Sequence, residues 1–285
     1  MADGYFGDMK ISTMKQGSSR FAFVPFSSFL RAGSLLFGAA GVAGASTLLV
    51  QDSFDSLGTA DLSGNLPSTN ATGISGLAWA ASTTVPNPMR GDGAGGLAII
   101  TSTQTAGLDL GADYFTTNPG TYRLSVDISY PETLPSSPNS WVGFGFSQGL
   151  VTGSNLSSAN NNGGPWVFYR GSGGVEGRAT AAGARPVASG VASGVIHRFA
   201  IELDAIAEEE WSFKVFIDGV QQGDTFTYAD GANPVLRYIT LSGGVSGGTF
   251  TGTVDNFTFE LIPEPGSVAL SGFAGVLLLL VRRRR

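Results

Sequence analysis

The sequence of 285 residues has no cysteine and a single histidine, His197. Without cysteine the chain can form no disulfide bond, thiolate nucleophile or cysteine-ligated metal centre. A single histidine excludes multi-histidine metal sites and disfavours triad chemistry. Charged residues make up only 13% of the chain, about half of what is usual for a globular protein. Glycine is abundant instead, at 42 residues, which indicates many short strands joined by turns.

The positive charges are concentrated at the two ends of the chain. Between residues 46 and 262 there are 19 acidic residues against 8 lysines and arginines, so this body carries a net charge of −11. An acidic body repels the phosphate backbone of nucleic acids. We therefore expect no nucleic-acid partner.

The first 45 residues have the layout of a signal peptide. Positive charge precedes an apolar, small-residue stretch at 32–43, and the sequence Ala43-Gly44-Ala45 then provides a cleavage site before Ser46. Met14 offers a second start, so the sequence leaves open whether translation begins at Met1 or Met14. We expect residues 1–45 to direct export, with a buried N-terminal helix as the alternative.

The C-terminus has a proline-rich lead, an apolar run over 268–281 and a tail of four arginines, Arg282, Arg283, Arg284 and Arg285. As a helix, this run spans about 21 Å, short of the roughly 30 Å hydrocarbon core of a bilayer. We expect a transmembrane helix over 266–281 that serves as a transient anchor, with the arginines retained on the cytoplasmic side. This topology places the body outside the inner membrane.

Pro263-Glu264-Pro265, followed by a short apolar helix and a terminal arginine run, resembles the PEP-CTERM sorting signal. The resemblance covers roughly 262–285. It implies that an exosortase-type enzyme reads Pro263, Glu264 and Pro265 and that the tail is removed. It also implies a Gram-negative bacterium that makes extracellular polysaccharide. The alternative is an ordinary tail anchor.

Residues 46–261 alternate with the period of β-strands. Leu124, Val126 and Ile128 share one face of 122–129. Within residues 141–146, one face carries Val142, Phe144 and Phe146, and the other carries Trp141 and two glycines. Similar patterns recur at 166–169, 196–203, 211–217, 235–241 and 250–261, and Asp218-Gly219 predicts a hairpin turn. We predict one all-β domain, an antiparallel β-sandwich of the jelly-roll type.

The order of these segments resembles concanavalin A-like lectin/glucanase (laminin G-like) jelly rolls. An early strand at 52–55, the segment 141–146, the hairpin at 211–219 and the closing run 252–257 carry the resemblance. Glucanases of this fold need carboxylates alternating on one strand, and Glu202-Leu203-Asp204 is the only near match, without the third acid. His197 has no identifiable Ser or Asp partner. We therefore expect no catalytic residues and no enzymatic activity.

Sugar recognition needs flat aromatic rings, and Trp141, Trp166 and Tyr169 are the candidate carbohydrate-binding residues, with burial in the core as the alternative for each. We expect no cofactor and no metal site. A structural Ca²⁺ would require Asp52, Asp55 and Asp255 to meet through pairing of the first and last strands.

These observations lead to one hypothesis of function and two alternatives. The hypothesis is an exported, non-catalytic protein, held transiently in the inner membrane and then located at the cell surface or in the extracellular matrix, that binds extracellular polysaccharide. The alternatives are a glycoside hydrolase of concanavalin A-like fold and a protein-binding adhesin.

Overall fold

The computed structural model describes residues 45–71, 74, 76–81, 89–99, 104–131, 140–150, 164–179, 184–206, 210–228, 233–244 and 252–263. The predicted signal peptide as far as Gly44 and the predicted sorting tail from Glu264 onward lie outside these residues. Within the described part of the chain, no helix is both long enough and apolar enough to cross a bilayer.

The described residues form two antiparallel sheets. The nine-stranded sheet has the order β14-β13-β12-β7-β16-β1-β2, and β5 also pairs with β16 and with β4. Its strands are β1 (Thr47–Asp52), β2 (Thr69–Asn70), β4 (Arg90–Gly91), β5 (Leu97–Ile99), β7 (Thr121–Ser129), β12 (Ile196–Asp204), β13 (Ser212–Ile217), β14 (Val220–Thr227) and β16 (Gly252–Ile262).

The seven-stranded sheet has the order β11-β10-β9-β8-β15-β6-β3. Its strands are β3 (Ala80–Ala81), β6 (Gln104–Asp109), β8 (Trp141–Ser147), β9 (Trp166–Arg170), β10 (Val175–Arg178), β11 (Ala184–Ala188) and β15 (Tyr238–Gly244). A 3₁₀ turn (Asp55–Leu57) and the helix α1 (Tyr114–Thr117) are the helical elements of the described residues.

The core lies between the two sheets and follows the predicted alternation. Leu124, Val126 and Ile128 of β7 are fully buried, as are Phe144 and Phe146 of β8. These side chains belong to one large hydrophobic cluster that both sheets line. Because side chains alternate across a strand, the intervening residues of β7 and β8 lie on the two outer faces of the sandwich. The predicted all-β antiparallel sandwich is thereby confirmed.

The turn between β13 and β14 is the predicted Asp-Gly hairpin. Asp218 has φ = 50° and Gly219 has φ = 80°. Two consecutive residues with positive φ form the turn that matches the twist of a two-residue hairpin, which is why Asp-Gly is favoured there. The hairpin prediction is confirmed.

Two predicted boundaries are wrong. The early strand ends at Asp52 rather than continuing to Asp55, because Phe54 adopts φ = 56° and the chain turns into the 3₁₀ segment. The strand predicted over 235–241 begins only at Tyr238. Apolar residues before a strand satisfy the same pattern as residues within it, so the sequence alone misplaces the start.

Candidate functional site

Three aromatic side chains lie together on the outer face of the seven-stranded sheet. Trp141 comes from β8, whereas Trp166 and Phe168 come from β9, and the three form a hydrophobic cluster separate from the main core. The ring centroids of Trp141 and Phe168 are 5.0 Å apart, and those of Trp166 and Phe168 are 6.1 Å apart. We call these three residues the aromatic face.

Each ring of the aromatic face lies over a glycine of a neighbouring strand. A Cβ atom at Gly145 would come within 2.9 Å of Cδ2 of Trp166, and one at Gly143 within 3.1 Å of Cδ1 of Phe168. A Cβ atom at Gly244 would come within 2.7 Å of Cε2 of Trp141. The glycines therefore allow the rings to lie close to the sheet, because a side chain at any of the three positions would occupy the same space.

A charged triad borders the aromatic face. Arg170 donates two hydrogen bonds to the carboxylate of Glu176, at 2.7 and 2.8 Å, and Arg178 donates one at 3.0 Å. The hydrogen bond from Arg170, followed by that from Arg178, lowers the pKa of Glu176 despite its burial. The guanidinium carbon of Arg178 lies 4.9 Å from the ring centroid of Phe168, a cation–π distance. Two arginines against one carboxylate leave this border with a net positive charge.

Among the described residues, three buried polar atoms on or beside the aromatic face have no hydrogen-bond partner. They are Nε1 of Trp166, Nε of Arg178 and Oγ of Ser147. The register places Trp166 opposite both Gly145 of β8 and Arg178 of β10. Buried polar atoms are nearly always paired, so three unpaired atoms in one region call for an explanation, such as water or a ligand.

The aromatic face is almost completely covered in the structure. Trp141 is 6% exposed, Trp166 1% and Phe168 2%. A ring that stacks on a sugar must present its flat side to the ligand. Recognition through these rings therefore requires that binding uncovers them.

Tyr169, predicted from the sequence to bind carbohydrate together with Trp141 and Trp166, does not share this face. It points into the sandwich, where its ring centroid lies 4.4 Å from that of Tyr130. Its hydroxyl donates to the carbonyl oxygens of Val191 and Ala192, at 3.3 and 3.1 Å, and burial raises its pKa to about 12. Alternation along β9 would have placed Tyr169 opposite Trp166 and would also have revealed Phe168 as a member of the site.

The carboxylates considered for catalysis, Glu202 and Asp204, lie on β12 of the other sheet. Glu202 forms an ion pair of 2.7 Å with Arg123 on the outer face of the nine-stranded sheet. Asp204 is exposed, and one of its oxygens accepts the N–H of Ile206. Glu202 is thus paired with an arginine, whereas a retaining glycosidase uses two carboxyl groups about 5–5.5 Å apart.

His197 has an aspartate partner, so the expectation that it has none is wrong. Its Nδ1 lies 2.8 Å from Oδ2 of Asp218, in the hairpin turn, and its Nε2 lies 3.2 Å from the carbonyl oxygen of Ala192. Asp218 is 21 residues away in sequence, and only the pairing of β12 with β13 brings it near. Both ring nitrogens are engaged, which leaves neither free to act as a general base.

The strand pairing required by the calcium hypothesis is present, since β1 pairs with β16. Asp52, however, is buried, and its oxygens accept hydrogen bonds from the backbone N–H of Phe54 (3.0 Å), the hydroxyl of Ser68 (3.2 Å) and Nε1 of Trp79 (2.7 Å). Burial raises the pKa of Asp52. In the described ranges no group of three or more histidine, aspartate or glutamate side chains is arranged to hold a metal ion, the three predicted aspartates included.

Known proteins were compared with this chain by sequence and by structure. No family model matches the chain. No curated protein matches it either. Among solved structures, lectin II from Ulex europaeus is 14% identical and covers 64% of this chain and 97% of its own, with a TM-score of 0.43.

Two further solved structures show a similar level of likeness. The carbohydrate recognition domain of Emp47p is 10% identical, covers 72% of this chain and 95% of its own and has a TM-score of 0.45. A mutant of the alginate lyase Aly36B in complex with alginate trisaccharide is 15% identical, covers 76% and 100%, and has a TM-score of 0.43. The function proposed below rests on this chain's own residues.

Proposed function

We propose that this protein is an exported, non-catalytic protein of the cell surface or extracellular matrix that binds extracellular polysaccharide through the aromatic face. The observation that carries the proposal is the combination of three clustered rings with three unpaired buried polar atoms beside them. Apolar rings bind the C–H faces of sugars, whereas unpaired N–H and O–H groups donate hydrogen bonds to the sugar's oxygens. The two kinds of group are needed together in a saccharide site.

The energetics of the unpaired atoms support a polar ligand. Leaving a buried donor unsatisfied costs about 1–3 kcal/mol. A polysaccharide that reached Trp166 and Arg178 would supply ether and hydroxyl oxygens to their N–H groups and remove this cost. The positive charge of the Arg170–Glu176–Arg178 triad also allows acidic sugars, whose carboxylates pair with arginine in a bidentate manner.

The non-catalytic part of the proposal is supported by the arrangement of the acids. Glu176 is the carboxylate of the triad, and two arginines hold it ionised. A glycosidase needs two carboxyl groups about 5–10 Å apart, one of which must carry a proton. Within the described part of the aromatic face and its border, no second carboxylate accompanies Glu176.

Export and processing belong to the same proposal and rest on the terminal sequences. The protein is cleaved between Ala45 and Ser46, held by the helix 266–281 and its arginines, and released by an exosortase-type enzyme that reads Pro263-Glu264-Pro265. Mass spectrometry of the protein from the producing bacterium tests this directly. A mature chain that begins at Ser46 and lacks residues 266–285 is expected, and an intact C-terminus would contradict processing.

Binding is tested with the processed protein and the polysaccharide secreted by the same bacterium, in a co-sedimentation assay. Trp166→Phe removes the unpaired N–H and keeps an aromatic ring; we expect a 2–10-fold weaker affinity, as for the loss of one hydrogen bond worth about 0.5–1.5 kcal/mol. Trp211→Phe, the same change at a buried position in the main core, is the matched control and should leave the affinity unchanged.

Two results would contradict the proposal. Equal affinity of the wild type, Trp166→Phe and a Trp141→Ala variant that retains its fold would exclude the aromatic face as the site. Shortening of the polysaccharide during incubation, lost in Glu202→Gln, would show that the protein is an enzyme.

A further inference from the structure

The outer face of the nine-stranded sheet carries an open pit of about 220 Å³ that none of the roles above uses. We call it the polar pit. It is lined chiefly by Arg123, Ser125, Arg198, Ala200, Phe216 and Glu260. Unlike the aromatic face, it is open to solvent at its arginines, whose side chains are 39% (Arg123) and 36% (Arg198) exposed.

Strand register explains why a pit forms here. Ala200 of β12 pairs with Ser125 of β7 on one side and with Phe216 of β13 on the other. The two small side chains make a low floor, and the ring of Phe216 rises beside it. Two residues further along the strands in either direction, the side chains that face the same way are larger. They are Arg123 of β7 at one end of the pit and Arg198 of β12 at the other.

Arg198 is held rigidly by its neighbours. Its guanidinium donates to Oδ1 of Asp127 (3.0 Å), Oγ of Ser125 (3.0 Å), Oγ1 of Thr258 (2.7 Å) and the carbonyl oxygen of Asn256 (2.7 Å). The last of these bonds depends on an irregularity in β16, where Asn256 adopts φ = 48° and the register with β7 shifts. This end of the pit is therefore a fixed wall.

Arg123, at the other end, has donors to spare. It uses Nη2 to bind Glu202 at 2.7 Å, and its Nε is buried without a hydrogen-bond partner in the part of the chain that the structure describes. Its guanidinium carbon lies 5.6 Å from the ring centroid of Phe216. The arginine and the ring thus form one corner, which offers a polar and an apolar surface to the same ligand.

We propose that the polar pit binds a single neutral hexopyranose unit. The pit is smaller than the roughly 300–1,000 Å³ of sites for drug-sized ligands, so it suits one sugar ring rather than an oligosaccharide. Phe216 stacks on the apolar face of the sugar. Arg123 donates to its hydroxyl oxygens and Glu260 accepts from its hydroxyl groups. The positive and negative groups around the pit nearly balance, so the pit offers no net charge to favour an acidic sugar.

This site gives the protein a second point of attachment on the opposite side of the sandwich from the aromatic face. If both sites bind, one molecule can connect two polysaccharide chains, which raises the avidity of the protein for a matrix over that of either site. The bridging role rests on the proposed function of the aromatic face, whereas hexose binding in the pit does not.

Monosaccharide binding tests the pit directly. The probes are the methyl glycosides of glucose, galactose and mannose at millimolar concentration, and the readout is saturation-transfer NMR with the processed protein. Ala200→Leu fills the pit without removing any polar group, and we expect at least a tenfold loss of affinity for the hexoside that binds. Thr121→Leu adds the same side chain on the same face of the sheet, outside the pit lining, and should bind as the wild type does.

A second variant keeps the test decisive if Ala200→Leu does not fold. Phe216→Leu retains an apolar side chain but removes the flat ring, and an equal loss of affinity is expected. Failure of the wild type to bind any of the three hexosides, or unchanged binding by a folded Ala200→Leu protein, overturns the inference.

Testing the variants of both sites in both binding assays distinguishes the role of the aromatic face from that of the polar pit. Trp166→Phe should bind the hexoside normally and Ala200→Leu should lose it, whatever the polysaccharide does. If polysaccharide binds in the polar pit and not at the aromatic face, Ala200→Leu abolishes co-sedimentation with polysaccharide while Trp166→Phe leaves it unchanged. If both sites bind, each variant alone reduces the cross-linking of polysaccharide, measured as turbidity, with the larger reduction in Ala200→Leu, while each retains some binding.

Discussion

The two outer faces of the sandwich are built on the same strand alternation but differ in almost every other respect. On the seven-stranded sheet, Trp141, Trp166 and Phe168 lie over glycines and are almost fully covered. On the nine-stranded sheet, Phe216 stands beside a shallow pit whose arginines are open to solvent. One face therefore has three rings that solvent barely reaches, whereas the other has a single ring beside a pit that is open to solvent.

The difference teaches that aromatic residues facing away from the core need not lie at the surface. A side chain on the outer face of a sheet is exposed only if nothing else covers that face. The covered face should contribute strongly to stability, and the open face weakly, because the contribution of a side chain follows the apolar area that it removes from water.

The largest expected effect comes from removing one ring from each face. Phe168→Ala should lower the free energy of unfolding by about 3 kcal/mol, as for other buried phenylalanines. Phe216→Ala should lower it by about 1 kcal/mol, since the ring is only half-buried. Urea denaturation of the two variants measures both values, and equal losses would show that the two faces are equally covered.

Adding one heavy atom beneath the aromatic face and one to the floor of the polar pit gives the next largest effect. In Gly145→Ala the new Cβ would lie 2.3 Å from the carbonyl oxygen of Pro165, so the backbone must shift, and we expect a loss of about 1–3 kcal/mol. Ala200→Ser adds one oxygen atom to a buried residue that borders the polar pit, so it should cost less, no more than about 1 kcal/mol. Thermal unfolding followed by circular dichroism would detect the difference. Unchanged stability of Gly145→Ala would mean that the backbone around Gly145 can shift without cost.

The smallest effect compares the ion pairs of the two faces. Glu176→Gln should cost about 1–2 kcal/mol, because two partly buried arginines lose their negatively charged partner and one of its two acceptor oxygens. Glu202→Gln should cost less, about 0.5–1 kcal/mol, since its partner Arg123 is more open to water.

The same comparison has a pH dependence. The pKa of Glu176 is lowered in the folded protein, so its stabilisation is fully present above the ordinary pKa of glutamate and is lost as the pH falls through the folded value. Stability measured from pH 6 down to pH 2 should therefore fall less in Glu176→Gln than in the wild type. Parallel curves for the two proteins would contradict this assignment.

Much of the fold could be predicted because its signals are local. The alternation of Leu124, Val126 and Ile128 is visible within eight residues, and the dipeptide Asp218-Gly219 by itself predicts a hairpin turn. The short strands β10 and β11 carry no such pattern: Val175–Arg178 contains one apolar side chain, and Ala184–Ala188 contains a proline. The edge of β9 pairs with β10, and β10 in turn provides the edge that pairs with β11.

The candidate site could be predicted only in part, for the same reason. Trp141 and Trp166 were found from their residue type and their position in alternating segments, and alternation along β9 would have added Phe168. Nothing local showed that Gly244 lies beneath Trp141. The Arg170–Glu176–Arg178 triad joins two strands across a turn. The partnership of His197 with Asp218 likewise depends on strand pairing rather than on spacing along the chain.

By itself, the sequence determined an acidic, cysteine-free β body, because composition, alternation and turn residues act over short distances, and it predicts export and sorting signals in the two terminal segments. Only the tertiary structure decided which faces are covered and which are open. Burial depends on what other parts of the chain place over a strand, and register depends on pairing between distant residues. A tryptophan and a phenylalanine with the same local pattern therefore occupy a covered cluster on one sheet and the wall of an open pit on the other.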